Sequence, residues 1–293
     1  GTASVALIGV AVAGWVASLL VRTSRPGDST LRCAVNPFSG TWGQLRSLGS
    51  NKPLLRTALG IAFFWTLASL ANLNIDVFGK DVLQLEAGSV GQLLGVLVLG
   101  VGFGSVLAGW WSGGKVELGI VPLGAAGIAV GAIALFFTGH AVDGPTTTAA
   151  AMTHAYHSTF GWLFLLGAGA GLFNVPLDTF LQHRSPAETR GSILAASNFI
   201  TFSGILLSSG LFYVLRRGAG LEPEHIFLVA GLGTIPVVLY AFFLLPQATI
   251  RFIVWFLSHS VYRVRVLGRE NLPETGGALL VANHVTWVDG ILL

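Results

Sequence analysis

Charge is what this sequence has least of. Asp, Glu, Lys and Arg together make up 10% of its 293 residues, against 53% for the hydrophobic types, and the mean hydropathy is +0.74. Those values exclude an ordinary soluble domain and indicate a membrane protein. A single cysteine, Cys33, excludes an internal disulfide. The first apolar run has neither a basic stretch ahead of it nor a small-residue cleavage site, which argues against a signal peptide. The lone methionine is Met152 and the chain starts inside an apolar run, so it is expected to be part of a longer protein. Nothing in its composition points to nucleic acid.

Glycine, by contrast, is abundant at 39 residues. Helices in lipid have no hydrophobic force between them, and small residues let their backbones approach. Gly91/Gly95, Gly100/Gly104, Gly127/Gly131 and Gly167/Gly171 all have the small-xxx-small spacing. The run Gly167-Ala-Gly169-Ala-Gly171 lies inside an apolar span and follows no strand, so it reads as helix packing and not as a nucleotide loop.

A helix needs about 20 apolar residues to cross the hydrocarbon core. Seven stretches qualify, near residues 2–21, 57–77, 90–111, 119–138, 160–181, 192–215 and 226–245. Alternation then puts thirteen of the sixteen basic residues on one side, in the segment 22–56, at Lys115, Arg184 and Arg190, and in the tail; only Lys80, Arg216 and Arg217 fall on the other. The basic side is therefore predicted to be cytoplasmic. The loop 139–158 has no Lys or Arg and falls outside, as the same rule demands.

One helix, a basic connection, then six helices with shorter links resembles the second part of a major facilitator superfamily transporter, cut before its sixth helix. The resemblance implies a half-bundle: 1–21 as the last helix of the first bundle, 22–56 as the central cytoplasmic loop, and 57–245 as the second six-helix bundle. The loop "GWWSGGKVELG" at 109–119 stands where that superfamily carries its signature loop. It lacks the aspartate and paired bases of that pattern.

Polar side chains within spans are costly and so are functional candidates. Asn72 and Asp76, four residues apart, share one helix face near the outer end of the second span, while Asn74 points elsewhere. They either meet headgroups or face a cavity and hold an ammonium group or coupling cation. In "GLFNVPLDTFLQHRSPAETRGS", Pro176 removes a backbone donor, and Asn174 could bond the freed carbonyl at a kink. Asp178, Gln182, Arg184, Glu188 and Arg190 follow as a polar cluster, either a solvated loop or a gate that breaks as two bundles rock. Asn198 either lines the pathway or bonds a neighbouring helix. His140, His154 and His157 lie in a loop without carboxylate or thiolate at ligand spacing, so no metal is expected there.

After Pro246 the pattern changes. "ATIRFIVWFLSHSVY" is too short to cross and should lie in the interface, with Trp255 near headgroup depth. "VYRVRVLG" alternates as a strand does, "RENLPETGG" is turn chemistry, and "ALLVA" is a short buried strand. A soluble α/β domain is therefore predicted over 246–293. Its strand delivers Asn283, His284 and Asp289, either a base with an orienting carboxylate or a surface histidine with a helix-capping aspartate.

"NHVTWVD" resembles the His-x4-Asp box of the glycerolipid acyltransferases, and "GLFNVPLDTFLQHRSPAETRGSILAASNF" is similar to the bacterial lysophospholipid transporters, some of which are fused to 2-acylglycerophosphoethanolamine acyltransferase. The resemblance implies an all-α multi-pass protein of the bacterial inner membrane, with a truncated α/β acyltransferase domain on its cytoplasmic side. It would flip lysophosphatidylethanolamine and re-acylate it. His284 would be the general base on the lysophospholipid hydroxyl and Asp289 its orienting partner. The partners implied are membrane lipid, the lysophospholipid, and an acyl-carrier-protein or coenzyme A thioester as donor, with no bound cofactor. The family's later Glu-Gly box would fall beyond Leu293, so this stretch by itself is expected to be inactive. The alternative is a superfamily small-molecule exporter whose tail only associates with the membrane. Such an exporter would need charged residues deep in its helices.

Overall fold

The computed structural model describes residues 2–20, 37–142, 144 and 147–261. The strands and the His-x4-Asp box predicted beyond 261, with His284 and Asp289, lie outside the described residues. The chain divides into two compact units, 1–40 and 41–293. In the first lies α1 (Thr2–Leu19), whose apolar stretch is Leu7–Leu19.

Among its described residues the second unit has helices and no strand. α2 (Pro37–Ser50) begins before the division at residue 40 and leads into it. There follow α3 (Lys52–Val77), α4 (Ala87–Ser112), α5 (Val121–His140), α6 (Ala149–Arg184), α7 (Arg190–Tyr213), α8 (Pro223–Leu244) and α9 (Pro246–Val261). Helices α3 to α8 are each long and apolar enough to cross a membrane. They coincide in order and place with the last six predicted spans.

Three boundaries depart from the sequence reading. The segment 22–56 is not all loop. It contains α2, a short amphipathic helix whose Leu45 and Leu48 pack on the bundle. Asn51 then caps α3, its side-chain oxygen accepting from the Leu54 amide, with Pro53 in the first turn. The second half of the expected outer loop 139–158 belongs to α6, which begins at Ala149 under a Thr148 cap. Finally, α8 begins at Pro223, so Glu224 belongs to the helix and not to the loop before it.

Helix α6 is the hub, packed against α4 on one side and α5 on the other, while α3 pairs with α7 and α5 with α8. Glycines make these crossings close. A Cβ on Gly104 would fall on the carbonyl of Ala168, and one on Gly167 would fall on the carbonyl of Leu97, so α4 and α6 touch backbone to backbone. Gly124 and Gly169 do the same between α5 and α6. Gly91 and Gly95, expected to behave alike, have nothing within 4 Å of an added Cβ among the described residues. They occupy the outward face of α4, beside the exposed Val98, Leu99 and Val106.

At the end opposite the basic loops, α3 and α7 each finish in a π turn, Phe78–Val82 and Val214–Gly218. Arg216 ties the two together, donating to Asp81 at 3.2 Å and to Glu222 at 3.3 Å. At the basic end, α9 folds back on the link between α4 and α5. Arg251 donates to both oxygens of Glu117 at 2.9 and 3.1 Å, and Trp111 packs between Phe252 and Phe256.

Candidate functional site

The cluster 178–190 straddles the α6–α7 turn. Asp178, Thr179, Gln182 and His183 project from the last turns of α6, and Arg190 opens α7. Together with Val175 they line an open polar groove of about 450 Å³ at the basic end of the bundle. Arg184 and Glu188 are exposed but do not line it. Among the described residues no ion pair joins Asp178 or Glu188 to Arg184 or Arg190. Arg190 instead donates to the Ser185 carbonyl at 3.3 Å, closing the connecting turn. The carboxylate and guanidinium thus share a groove without an ion pair between them.

Asn174 does not bond a backbone carbonyl freed by Pro176, as the sequence suggested. Its Nδ2 donates to Asp178 Oδ2 at 2.5 Å, one helical turn on, and fixes that carboxylate. The Oδ1 of Asn174 is buried without a hydrogen-bond partner among the described residues.

On the other face of α6 lies an apolar cleft of about 250 Å³. Phe173, Leu177 and Phe180 line it together with Val121 and Val237, and Arg56, Thr57 and Tyr240 provide its polar lining. α6 therefore separates a polar groove from a greasy one at the same end of the molecule.

The other predicted residues are dispersed. Asn72 is exposed, and Asp76 is taken up by Lys80, whose Nζ lies 2.7 Å away in a pair about half exposed on each side. Asn198 is exposed on α7, away from the groove lining. Asn74, set aside in the sequence reading, is the fully buried one, its Nδ2 donating to the carbonyl of Pro223 at 2.8 Å. No group of three His, Cys, Asp or Glu side chains able to hold a metal occurs among the described residues.

Glu224 is the polar residue that sequence reasoning missed. It is only 2% exposed. An apolar window that begins at Ile226 discards it as loop. The signal available was Pro223, a first-turn proline after Glu222, which marks the helix start ahead of Glu224.

Comparison with known proteins gives two matches of different reach. One is a stretch of 49 residues 54% identical to an uncharacterised protein of Mycobacterium leprae (strain TN), covering 16% of this chain and 13% of that protein. The matched stretch therefore spans about an eighth of that relative's length. No solved structure matches. The profile of the Major Facilitator Superfamily matches residues 2–209, more than two thirds of the chain and all of α1 to α6. With six long apolar helices, α6 the hub among them, this multi-pass membrane protein belongs to the Major Facilitator Superfamily.

Proposed function

We propose that this chain is the transporter portion of a protein that moves lysophospholipid across the bacterial inner membrane, basic end inward, and re-acylates it on the cytoplasmic side. The observation that carries the reading is the pair of unlike grooves on either face of α6. A lysophospholipid has a charged head and a single chain. In the polar groove Asp178 would meet the ammonium of a phosphoethanolamine head and Arg190 its phosphate. The apolar cleft between Phe173, Leu177 and Val237 would accept chain methylenes.

The acyl-transfer part rests on the resemblance of "NHVTWVD" to the acyltransferase box. His284 would take the proton of the acceptor hydroxyl as it attacks the thioester carbonyl, with Asp289 holding the imidazole in the working tautomer. A thioester donor in the cytoplasm agrees with a tail on the basic side. The alternative, a small-molecule exporter with a membrane-associated tail, gains one point from Glu224, an acid buried within a span; that residue sits in a first turn and not at a helix centre.

The test is movement of labelled lysophosphatidylethanolamine by the intact protein in vesicles, alongside acyl transfer to the same lipid. Transport that ignores the lysophospholipid but accepts an unrelated cation or drug would replace this reading with the exporter. Acyl transfer that survives His284→Ala would remove the tail from the chemistry.

A further inference from the structure

The apolar cleft beside α6 carries charge of one sign only. The second turn of α3 and the last turns of α8 bring Arg56 and Tyr240 to its lining, and Thr57 completes the polar side chains there. No carboxylate lines it among the described residues. Thr57 has already spent its hydroxyl, which donates to the Pro53 carbonyl at 2.9 Å. The Arg56 guanidinium and the Tyr240 hydroxyl have neither an ion pair nor a hydrogen bond among the described residues.

A guanidinium and a phenol left over at one end of a greasy cleft match an amphiphile with a single chain and a small anionic head. We propose that the cleft binds a long-chain fatty acid, its carboxylate on Arg56 and Tyr240 and its chain between Phe173, Leu177 and Val237. The planar fork of Arg56 presents two N–H groups to the two carboxylate oxygens, and the Tyr240 O–H is a third donor. The charge count favours a carboxylate over a phosphate monoester, which brings nearly two negative charges and three acceptor oxygens to a lining with one cation. Lys52, one turn before Arg56 on the same face of α3, is not part of that lining.

The wall is open where the chain would run. Gly60 lies one turn beyond Arg56, and a Cβ there would come within 3.1 Å of Leu177 Cδ1. A chain that leaves lipid for this cleft exchanges one apolar surrounding for another and gains little, so selectivity resides in the head. Such a ligand takes the space that the lysophospholipid reading gives to the lipid chain. On that reading it is a competitive inhibitor of transport, whereas its binding does not depend on that reading.

Photolabelling of the intact protein in phosphatidylcholine vesicles, with palmitate that carries a diazirine in its chain, tests the site, and mass spectrometry maps the labelled residues. Label is expected on cleft residues of α6 and α8 and should be displaced by excess palmitate but not by hexadecanol. Arg56→Gln should raise the palmitate needed about tenfold, the loss of one charge-assisted contact, and Tyr240→Phe should raise it less. Tyr240 is 51% exposed and loses only a hydroxyl, so it serves if the arginine variant does not assemble. Label spread evenly onto the exposed Phe202 and Leu206 of α7 would overturn the proposal. So would competition by hexadecanol equal to that by palmitate, or labelling indifferent to both substitutions. Stronger competition by lysophosphatidic acid would overturn it too, by assigning a phosphate site. Lysophosphatidylethanolamine movement in the same vesicles separates the two ideas: transport without specific label removes the fatty-acid site alone, and label without transport removes the lysophospholipid reading alone.

Discussion

Asn74, near the end of α3, donates from its side chain to the backbone carbonyl of Pro223, the first residue of α8, at 2.8 Å. The two are 149 residues apart in sequence. The bond is buried and ties one end of the bundle together. Asn72 lies two residues earlier on the same helix but is exposed.

The pair makes a controlled comparison. Asn74→Ala should destabilise the bundle by about 1 kcal/mol through the lost bond, with a small void in addition. Asn72→Ala should change stability little. Thermal unfolding in detergent, followed by loss of monodisperse protein, separates the two.

The α4–α6 crossing makes a sharper demand. Gly104→Val places methyls where the Ala168 carbonyl already lies, and Gly167→Val does so at the Leu97 carbonyl. Neither obstacle is a flexible side chain, so the helices must part. A loss of about 1–3 kcal/mol or failure to assemble is expected. Gly91→Ala and Gly95→Ala meet nothing within 4 Å in this bundle and should leave its folding yield unchanged. Expression and size-exclusion profiles of the four variants are the measurement.

These contrasts also show what the sequence could and could not convey. The six long spans were legible because each is a long, nearly uncharged apolar run, and hydrocarbon tolerates little else. Helix ends were less so. α2 is amphipathic and short, and the start of α6 is rich in Ala, Thr and His, so neither registers as apolar although both are helical. The spacing of Gly91 and Gly95 is the same as that of Gly100 and Gly104, and only tertiary packing distinguishes an inward stripe from an outward one. At the polar groove, Asp178, Gln182 and Arg190, close in sequence, line one space. Arg184 and Glu188, equally close in sequence, are exposed outside that lining. Glu224 was lost for the opposite reason, since a charge beside an apolar run looks like its boundary.

The docking of α9 depends on shape more than on charge. Arg251 is 70% exposed, so its pair with Glu117 contributes little in solvent. Gly119 matters more, because a Cβ there would strike the Ala248 carbonyl and come within 2.7 Å of Phe252. Gly119→Val should therefore lift α9 and expose Phe252, whereas Arg251→Gln should leave it docked. Protease cleavage within 246–261 reads the difference, with rapid cutting expected only in the glycine variant.

The groove itself separates the two readings of the 178–190 cluster. If it holds a zwitterionic headgroup, Asp178→Asn and Arg190→Gln should each weaken apparent affinity for labelled lysophosphatidylethanolamine about tenfold or more, the loss expected for a charge-assisted contact of roughly 1.5–3 kcal/mol. Arg184→Gln and Glu188→Gln, outside the groove lining, should cost much less. Asp76→Asn should also be mild, because Lys80 already occupies that carboxylate. The charge-swapped double variant Asp178→Arg with Arg190→Asp keeps the net charge and offers the same two groups in exchanged places. A ligand bound through both ends fits that arrangement only by turning its head around, against the constraint of a chain held in the cleft beyond α6. Continued loss in the swap would indicate a ligand with fixed polarity, and full recovery would indicate that the two residues serve each other as a gate and not a substrate.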